Sequence, residues 1–139
     1  MPDIVVDAGP LIALFKPSDR HHLAATAFIE RTETSALVTN LLVVGEVAAM
    51  LANKHDDLVR YLNWLMEFVE IDGLAANDLP RALEVVEKYR DLPADLADAS
   101  LVALCERRGT NLVASLDADF DVYRLPKGRK FDNVFWARA

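Results

Sequence analysis

Hydrophobic residues along the chain show two alternating textures: short, nearly unbroken apolar runs, and longer stretches with apolar positions three and four apart. The runs are Ile4-Val5-Val6, Ala36-Leu37-Val38, Phe68 to Ile71 and Leu112-Val113-Ala114, each the length of a strand buried on both faces. A last strand is predicted within Asn133 to Trp136. Helical spacing fills the intervals. A turn at Gly9-Pro10 leads into a helix over Leu11 to Phe15, and a second helix covers His22 to Arg31 with Leu23, Ala27 and Phe28 inward. Thr39 or Asn40 caps a helix that runs to about Asn53, and Asp56 to Met66 forms the next. Asp78-Leu79-Pro80 opens a helix with Leu83, Val86 and Tyr89 on its inner side, and Pro93 opens another that ends near Gly109.

Short strands separated by helices require crossover connections, so the expected class is α/β: a mostly parallel central sheet of four or five short strands flanked by helices. At 139 residues the whole of 1–139 is expected to form one domain, with no repeat and no Gly/Ser- or Pro-rich linker dividing it. No apolar run approaches the roughly 18 residues of a membrane span, and Met1 leads into the first strand without a basic leader, so a cytoplasmic address is expected. Cys105 is the single cysteine, which excludes a disulfide framework or a multi-thiolate zinc site and suits a buried thiol.

The formal charge of −7 argues against a nucleic-acid partner, but its distribution qualifies this. From Val122 onward Arg124, Lys127, Arg129, Lys130 and Arg138 face a single acid, Asp132. The segment is a candidate contact for RNA phosphates, with a solvated tail or a protein contact as the alternative.

Ligands of open α/β sheets bind at the carboxyl ends of the strands, which makes the acids there informative. Asp7 directly follows the first strand, and Asp117 follows the fourth after Ser115-Leu116, so a parallel sheet brings both to one edge. For either alone a turn or cap role suffices; two at equivalent places point to a shared cleft. Glu46 lies on the apolar stripe of Val43, Val47 and Met50, which aims it inward or to the core's edge, where it needs a basic partner or a cleft. Asp95 and Asp98, at i and i+3 near a helix start, share a face close to the positive end of the helix dipole. Dipole compensation accounts for Asp95, whereas Asp98, a turn deeper and followed by Leu101 to Leu104, belongs near the cleft. Asp119 either reaches the same region or supports the turn before Phe120. Converging acids repel by about 4 kcal/mol per close pair at an effective dielectric near 20, and a divalent cation removes that cost. With oxygen ligands only, the expected ion is Mg²⁺ or Mn²⁺ rather than zinc, and its usual work is phosphodiester hydrolysis.

The segments Ile4-Val5-Val6-Asp7-Ala8 with Gly9-Pro10-Leu11, Val44-Gly45-Glu46-Val47, Asp95-Leu96-Ala97-Asp98-Ala99-Ser100 and Ser115-Leu116-Asp117-Ala118-Asp119-Phe120 together resemble a PIN domain, and most closely the VapC-type toxins of toxin–antitoxin pairs. The likeness covers essentially the whole length in the expected order. It implies a PIN-like fold and an Mg²⁺- or Mn²⁺-dependent endoribonuclease. It also implies a homodimer and a cognate antitoxin that inserts a segment into the active-site groove. Asp7, Glu46, Asp98 and Asp117 fall on the family's acidic positions and Ser115 on its Ser/Thr position beside the metal, with Asp95 and Asp119 matching accessory acids; Asn40, as a helix cap at the end of the second strand, is a further supporting candidate.

Rival readings are a PIN-like scaffold that binds RNA or protein without catalysis, and a phosphoacceptor or phosphatase α/β domain. The latter needs a second acid close to Asp7, which Asp7-Ala8-Gly9 lacks. His21 and His22 are adjacent, so they do not share a helix face, and His55 stands in a loop. No Gly-x-Ser-x-Gly context surrounds any serine, and no Gly-rich phosphate loop is present. Trp64, Trp136, Phe68 and Phe135 suit an interface between protomers better than base stacking.

Overall fold

The computed structural model describes residues 2–92 and 94–137. Strands β1 (Ile4–Val6), β2 (Leu37–Asn40), β3 (Glu70–Asp72), β4 (Leu112–Ala114) and β5 (Asp132–Asn133) form one sheet in the order β3-β2-β1-β4-β5, with every pairing parallel. Helices α1 (Ala8–Phe15), α2 (His22–Arg31), α3 (Leu41–Leu51), α4 (His55–Phe68), α5 (Leu79–Lys88) and α6 (Leu96–Arg108) make the connections. The chain steps outward from β1 to β2 and β3, then returns to the other side of β1 for β4 and β5. Right-handed crossovers therefore send α1 to α4 to one face and α5 and α6 to the other, and α1 packs on α2 and α3 while α5 packs on α6. The reversal of strand order falls between β1 and β4, so a crevice opens there at the carboxyl ends of the strands.

The core is the two-sided burial of these strands. Val5, Val6, Leu37, Val38, Val113 and Ala114 are all essentially inaccessible, and α6 is buried continuously from Asp98 to Cys105. The Cys105 thiol is buried, as its apolar setting predicts. Gly109 ends α6 in the left-handed conformation at φ 68°, while its N–H and that of Thr110 return to the Cys105 carbonyl.

Several helix faces and boundaries differ from expectation. In α2 the buried side chains are Ala25 and Phe28, whereas Leu23 is 82% exposed and Ala27 is exposed as well. The helix is turned by two anchors, His22 Nδ1 at 2.8 Å from the Ala13 carbonyl and the Phe28 ring against Phe135. In α5 the small Ala82 and Val85 face α6, and Leu79, Leu83 and Val86 are exposed, with Tyr89 half-buried. Leu51, not Met50, completes the α3 stripe begun by Val43 and Val47. Helix α4 starts at His55 and absorbs Phe68, which shifts β3 to Glu70–Asp72; Asp132 and Asn133 rather than the aromatic Phe135-Trp136 form the last strand. Trp64 packs inside the protomer against Phe15 and Phe68, and Phe135 is core, so of the four aromatics only Phe68 and Trp136 keep substantial exposure. The predicted helix opening at Pro93 and the basic Arg138 lie outside the described residues.

An ion network ties the edge of the sheet to the end of α6. Arg107 donates to Asp72 and Asp78, and Arg108 reaches Asp3, Glu70 and Asp72. The guanidinium of Arg107 holds the buried Asp72 carboxyl down at about 2, against an ordinary 3.8. A depressed carboxylate stabilises the fold above its unfolded pKa and loses that contribution as the pH falls from 3.8 toward 2. Asp72→Asn is therefore expected to cost about 2 kcal/mol at neutral pH and to flatten the acid limb of the stability curve between those values, read by urea unfolding across pH. An unchanged acid limb would remove Asp72 from this role.

Candidate active site

Two strand ends deliver polar side chains to the crevice, and a third, that of β2, supports it from behind. At the end of β1, the Asp7 N–H donates to the Ala114 carbonyl at 2.9 Å, extending the ladder by one residue, and its Oδ1 then caps α1 by accepting from Ala8 N–H at 2.7 Å. At the end of β2, Asn40 caps α3 through Val43 N–H, while Thr39 instead donates to the Val6 carbonyl. At the end of β4, Ser115 Oγ donates to Asp7 Oδ2 at 2.8 Å and accepts from the Asp117 N–H at 2.9 Å, so one hydroxyl fixes the acids from two strands. Asp117 accepts from Asp119 N–H at the head of the short turn Ala118–Asp121. From α6, the Asp95 side chain caps the helix by accepting from Asp98 N–H, and Asp98 sits one turn in.

Asp7, Glu46, Asp95, Asp98 and Asp117 line one open cleft of about 300 Å³, closed below by Ala8, Gly9, Ile12 and Leu116. Gly9 is what lets α1 approach the loop after β4, since a Cβ there would lie 3.1 Å from the Leu116 side chain. Carboxylate oxygens of Asp98, Asp117 and Asp119 come within 4.8 Å of one another. Among the described residues no lysine, arginine or histidine forms a salt bridge with any of these acids, so the basic partner considered for Glu46 is absent; Glu46 is exposed on the cleft wall.

Unbalanced negative charge shows in the titration of the cluster. Burial raises the Asp98 pKa, and the neighbouring Asp7, Asp95 and Asp117 raise it further. Burial also lifts Asp7, against the lowering effect of its hydrogen bonds to Ala8 and Ser115. Glu46 is raised by partial burial and then by Asp95 and Asp7, and Asp119 by burial and Asp117. Beside them the phenol of Tyr123, fully buried, is pushed up by burial and by Asp98, Asp119 and Asp117, which keeps it a neutral O–H. The donor set fits a hard divalent cation: oxygen atoms only, convergent, and with no cationic side chain among the described residues in competition.

Sequence reasoning located every acid of this cleft but missed Asn133. Its Oδ1 accepts from the Ser115 and Phe135 N–H groups and its Nδ2 donates to the Ser115 carbonyl, so β5 sets the backbone that carries the Ser115 hydroxyl. An asparagine inside a two-residue strand gives no signal in sequence. Asn40 contacts Ser100 Oγ rather than the acids, stitching α3 to α6 behind the cleft.

The basic segment is not brought to the acids. Arg124 folds onto its own turn, donating to the carbonyls of Asp121, Val122 and Tyr123. Lys127 and Arg129 lie with Gly109 and Thr110, and Arg129 and Lys130 flank Asn111, all at the opposite end of β4 from Asp117.

Fold and cleft define a class: α/β proteins with an oxygen-only acidic site at the switch point of a parallel sheet. The chain belongs to the PIN domain family, whose model matches residues 4–125. It is similar to Ribonuclease VapC26 of Mycobacterium tuberculosis, at 28% identity over 132 residues, 92% of this chain and 97% of the relative. Among solved structures it is similar in fold to VapC20 of M. tuberculosis, a sarcin–ricin-loop-cleaving toxin, with a TM-score of 0.78 and 21% identity over 86% of this chain and 94% of that one. A toxin–antitoxin complex from Klebsiella pneumoniae matches with a TM-score of 0.67 and 17% identity over 95% of this chain and 100% of the other.

The charge arrangement makes a stability prediction. A carboxyl whose pKa is raised by folding destabilises the folded state progressively as the pH climbs above its unfolded value, 3.8 for Asp98. In EDTA, Asp98→Asn is expected to melt several degrees above the parent at pH 8 and to match it at pH 4, by calorimetry. A variant that melts lower at pH 8 would mean that the carboxylate is compensated by contacts other than those seen.

Proposed function

We propose that the chain is an Mg²⁺- or Mn²⁺-dependent endoribonuclease, one catalytic domain over residues 1–139, acting as the toxin of a toxin–antitoxin pair. The observation that carries the reading is the convergence of Asp7, Glu46, Asp98 and Asp117 in one cleft with no basic side chain among its described lining residues. Family membership and a ribonuclease relative supply the substrate class.

Asp7, Asp98 and Asp117 are the proposed cation ligands, with Glu46 on the solvent side and Asp95 and Asp119 as accessory acids. Bound there, Mg²⁺ or Mn²⁺ would neutralise the phosphate and lower the pKa of the attacking water. The protein's part is to hold the acids in place before substrate arrives. Ser115 Oγ locks Asp7 and the backbone of Asp117 together, Asn133 locks Ser115, and the N-terminus of α1 at Asp7 offers a partial positive charge to the cluster. Glu46, exposed on the cleft wall, is the acid proposed to accept a hydrogen bond from the incoming water.

A homodimer fits the exposed stripe of Leu79, Leu83 and Val86 along α5, apolar positions that one protomer leaves uncovered. The antitoxin partner follows from the toxin reading and from the likeness to a toxin–antitoxin complex. No helix among the described residues is long and apolar enough to cross a membrane, and the RNA substrate suits the cytoplasm.

Purified, partner-free protein is expected to cut a structured RNA mixture with Mn²⁺ or Mg²⁺, to stop in EDTA, and to lose detectable activity in Asp7→Asn and Asp98→Asn while both variants keep the parent's circular dichroism. Cutting by Asp7→Asn at the parent rate would refute the proposal. Ser115→Ala is expected to weaken Mn²⁺ binding by about 10–100-fold in calorimetry, because the hydroxyl orients two acids rather than providing charge. Equal affinity in Ser115→Ala would assign the hydroxyl a purely structural role.

A further inference from the structure

A second cavity, of about 460 Å³, lies on the far side of the loop after β4, walled by Leu116, Asp117, Asp121, Phe131, Asn133 and Trp136. Leu116 and Asp117 line the acidic cleft as well, so the two spaces share one wall. The volume lies within the roughly 300–1,000 Å³ of pockets that take a small organic ligand, enough for one nucleoside. Its two aromatic walls are braced from within the protein. Trp136, 47% exposed, makes T-shaped contacts with Phe135 at 4.8 Å and His21 at 5.5 Å between centroids, and Phe131 stands edge-on to Phe120 at 5.5 Å. Flat, braced and partly exposed rings at the mouth of a polar cavity are platforms on which an unstacked base can lie.

The polar atoms select what enters. Among the described residues no lysine, arginine or histidine lines the cavity, and the carboxylates of Asp117, Asp121 and Asp132 do, so these walls disfavour a phosphate group and suit N–H donors. The Asn133 amide is already committed to Ser115 and Phe135. Asp121 is exposed, and as a carboxylate it can accept two parallel hydrogen bonds. Guanine alone of the four bases presents two adjacent N–H donors, N1–H and the N2 amine, on its Watson–Crick edge. Adenine and cytosine each offer one amine there, beside an acceptor that the carboxylate would repel.

We infer that this cavity is a base subsite that takes one unpaired guanine from the nucleotide adjoining the phosphate held in the acidic cleft, stacked against Trp136 and read by the Asp121 carboxylate. The inference rests on the nuclease reading for its location beside a scissile phosphate, but the recognition itself needs neither metal nor catalysis.

That separation shapes the test. Free guanosine, adenosine, cytidine and uridine are titrated into the full-length protein while the two tryptophan indole N–H resonances are followed by NMR, Trp136→Phe assigning one of them and Trp64 serving as the internal control. Guanosine is expected to shift the Trp136 resonance and leave Trp64 unmoved, to bind more tightly than the other three nucleosides, and to lose affinity roughly tenfold in Asp121→Ala. In parallel, RNA cleavage with Mn²⁺ should fall in Trp136→Leu and Asp121→Ala mainly at sites with guanine beside the cut, with Mn²⁺ affinity unchanged. Guanosine binding at Trp136 without any RNA cleavage would keep the base subsite and overturn the nuclease reading. Metal-dependent cleavage with no guanosine shift, with equal shifts by all four nucleosides, or with full affinity in Asp121→Ala, would overturn the base subsite and leave the nuclease standing.

Discussion

Ile4, Val5 and Val6 pair in parallel with Leu112, Val113 and Ala114, and this register is the constraint from which the cleft follows. A parallel pair ends both strands on the same side, so the residue after β1 and the residues after β4 must meet. Any slip by one residue would turn Asp7 or Ser115 to the other face of the sheet and break the hydrogen bond between them. The apolar side chains of β1 and β4, buried on both faces, forbid such a slip. Packing energy distributed over the core thus fixes the position of polar groups that contribute little to stability and, through their mutual repulsion, subtract from it.

Helix ends complete the arrangement at modest cost. Asp7, Asp95 and Asp117 each cap a helix or turn, so part of the charge density in the cleft is offset by backbone N–H groups that need acceptors in any case. Asp98 has no such role, and its titration bears the largest share of the crowding. The β3 edge of the sheet shows the contrasting solution, where Asp72 and Asp78 meet Arg107 and Asp72 also meets Arg108. Among the described residues, therefore, one protein contains acids paired with guanidinium groups and acids without a basic partner.

The strands, their order of appearance and the acids at their ends were legible in the sequence because continuous apolar runs permit few alternatives. The faces of α2 and α5 were not. In α5 Ala82 and Val85 are what fit against α6, and Leu79, Leu83 and Val86 are left outside, so counting hydrophobic bulk picks the wrong side. Glu46 was located for a flawed reason, since the stripe that pointed it inward runs to Leu51 rather than Met50, yet it reaches the cleft wall. The position of the basic segment relative to the acids was not legible in the sequence. A fifth strand parallel to β4 has to begin at the end where β4 begins, so residues 115–131 carry the chain down the molecule and Lys127 to Lys130 with it, away from Asp117. Ser115, singled out in the sequence, does lie between Asp7 and Asp117, whereas Asn133 depends on a strand pairing that no local pattern announces.

That pairing has a consequence for how firmly the cleft is held. β5 is a two-residue edge strand with one neighbour, the kind of element that opens locally at little cost, and its Asn133 is the clasp on Ser115 and through it on Asp7. The alignment of acids drawn from the centre of the sheet is therefore only as durable as the sheet's least protected edge. A binder that grips residues 132–136 and one that loosens them would change the cleft in opposite directions without touching a single carboxylate.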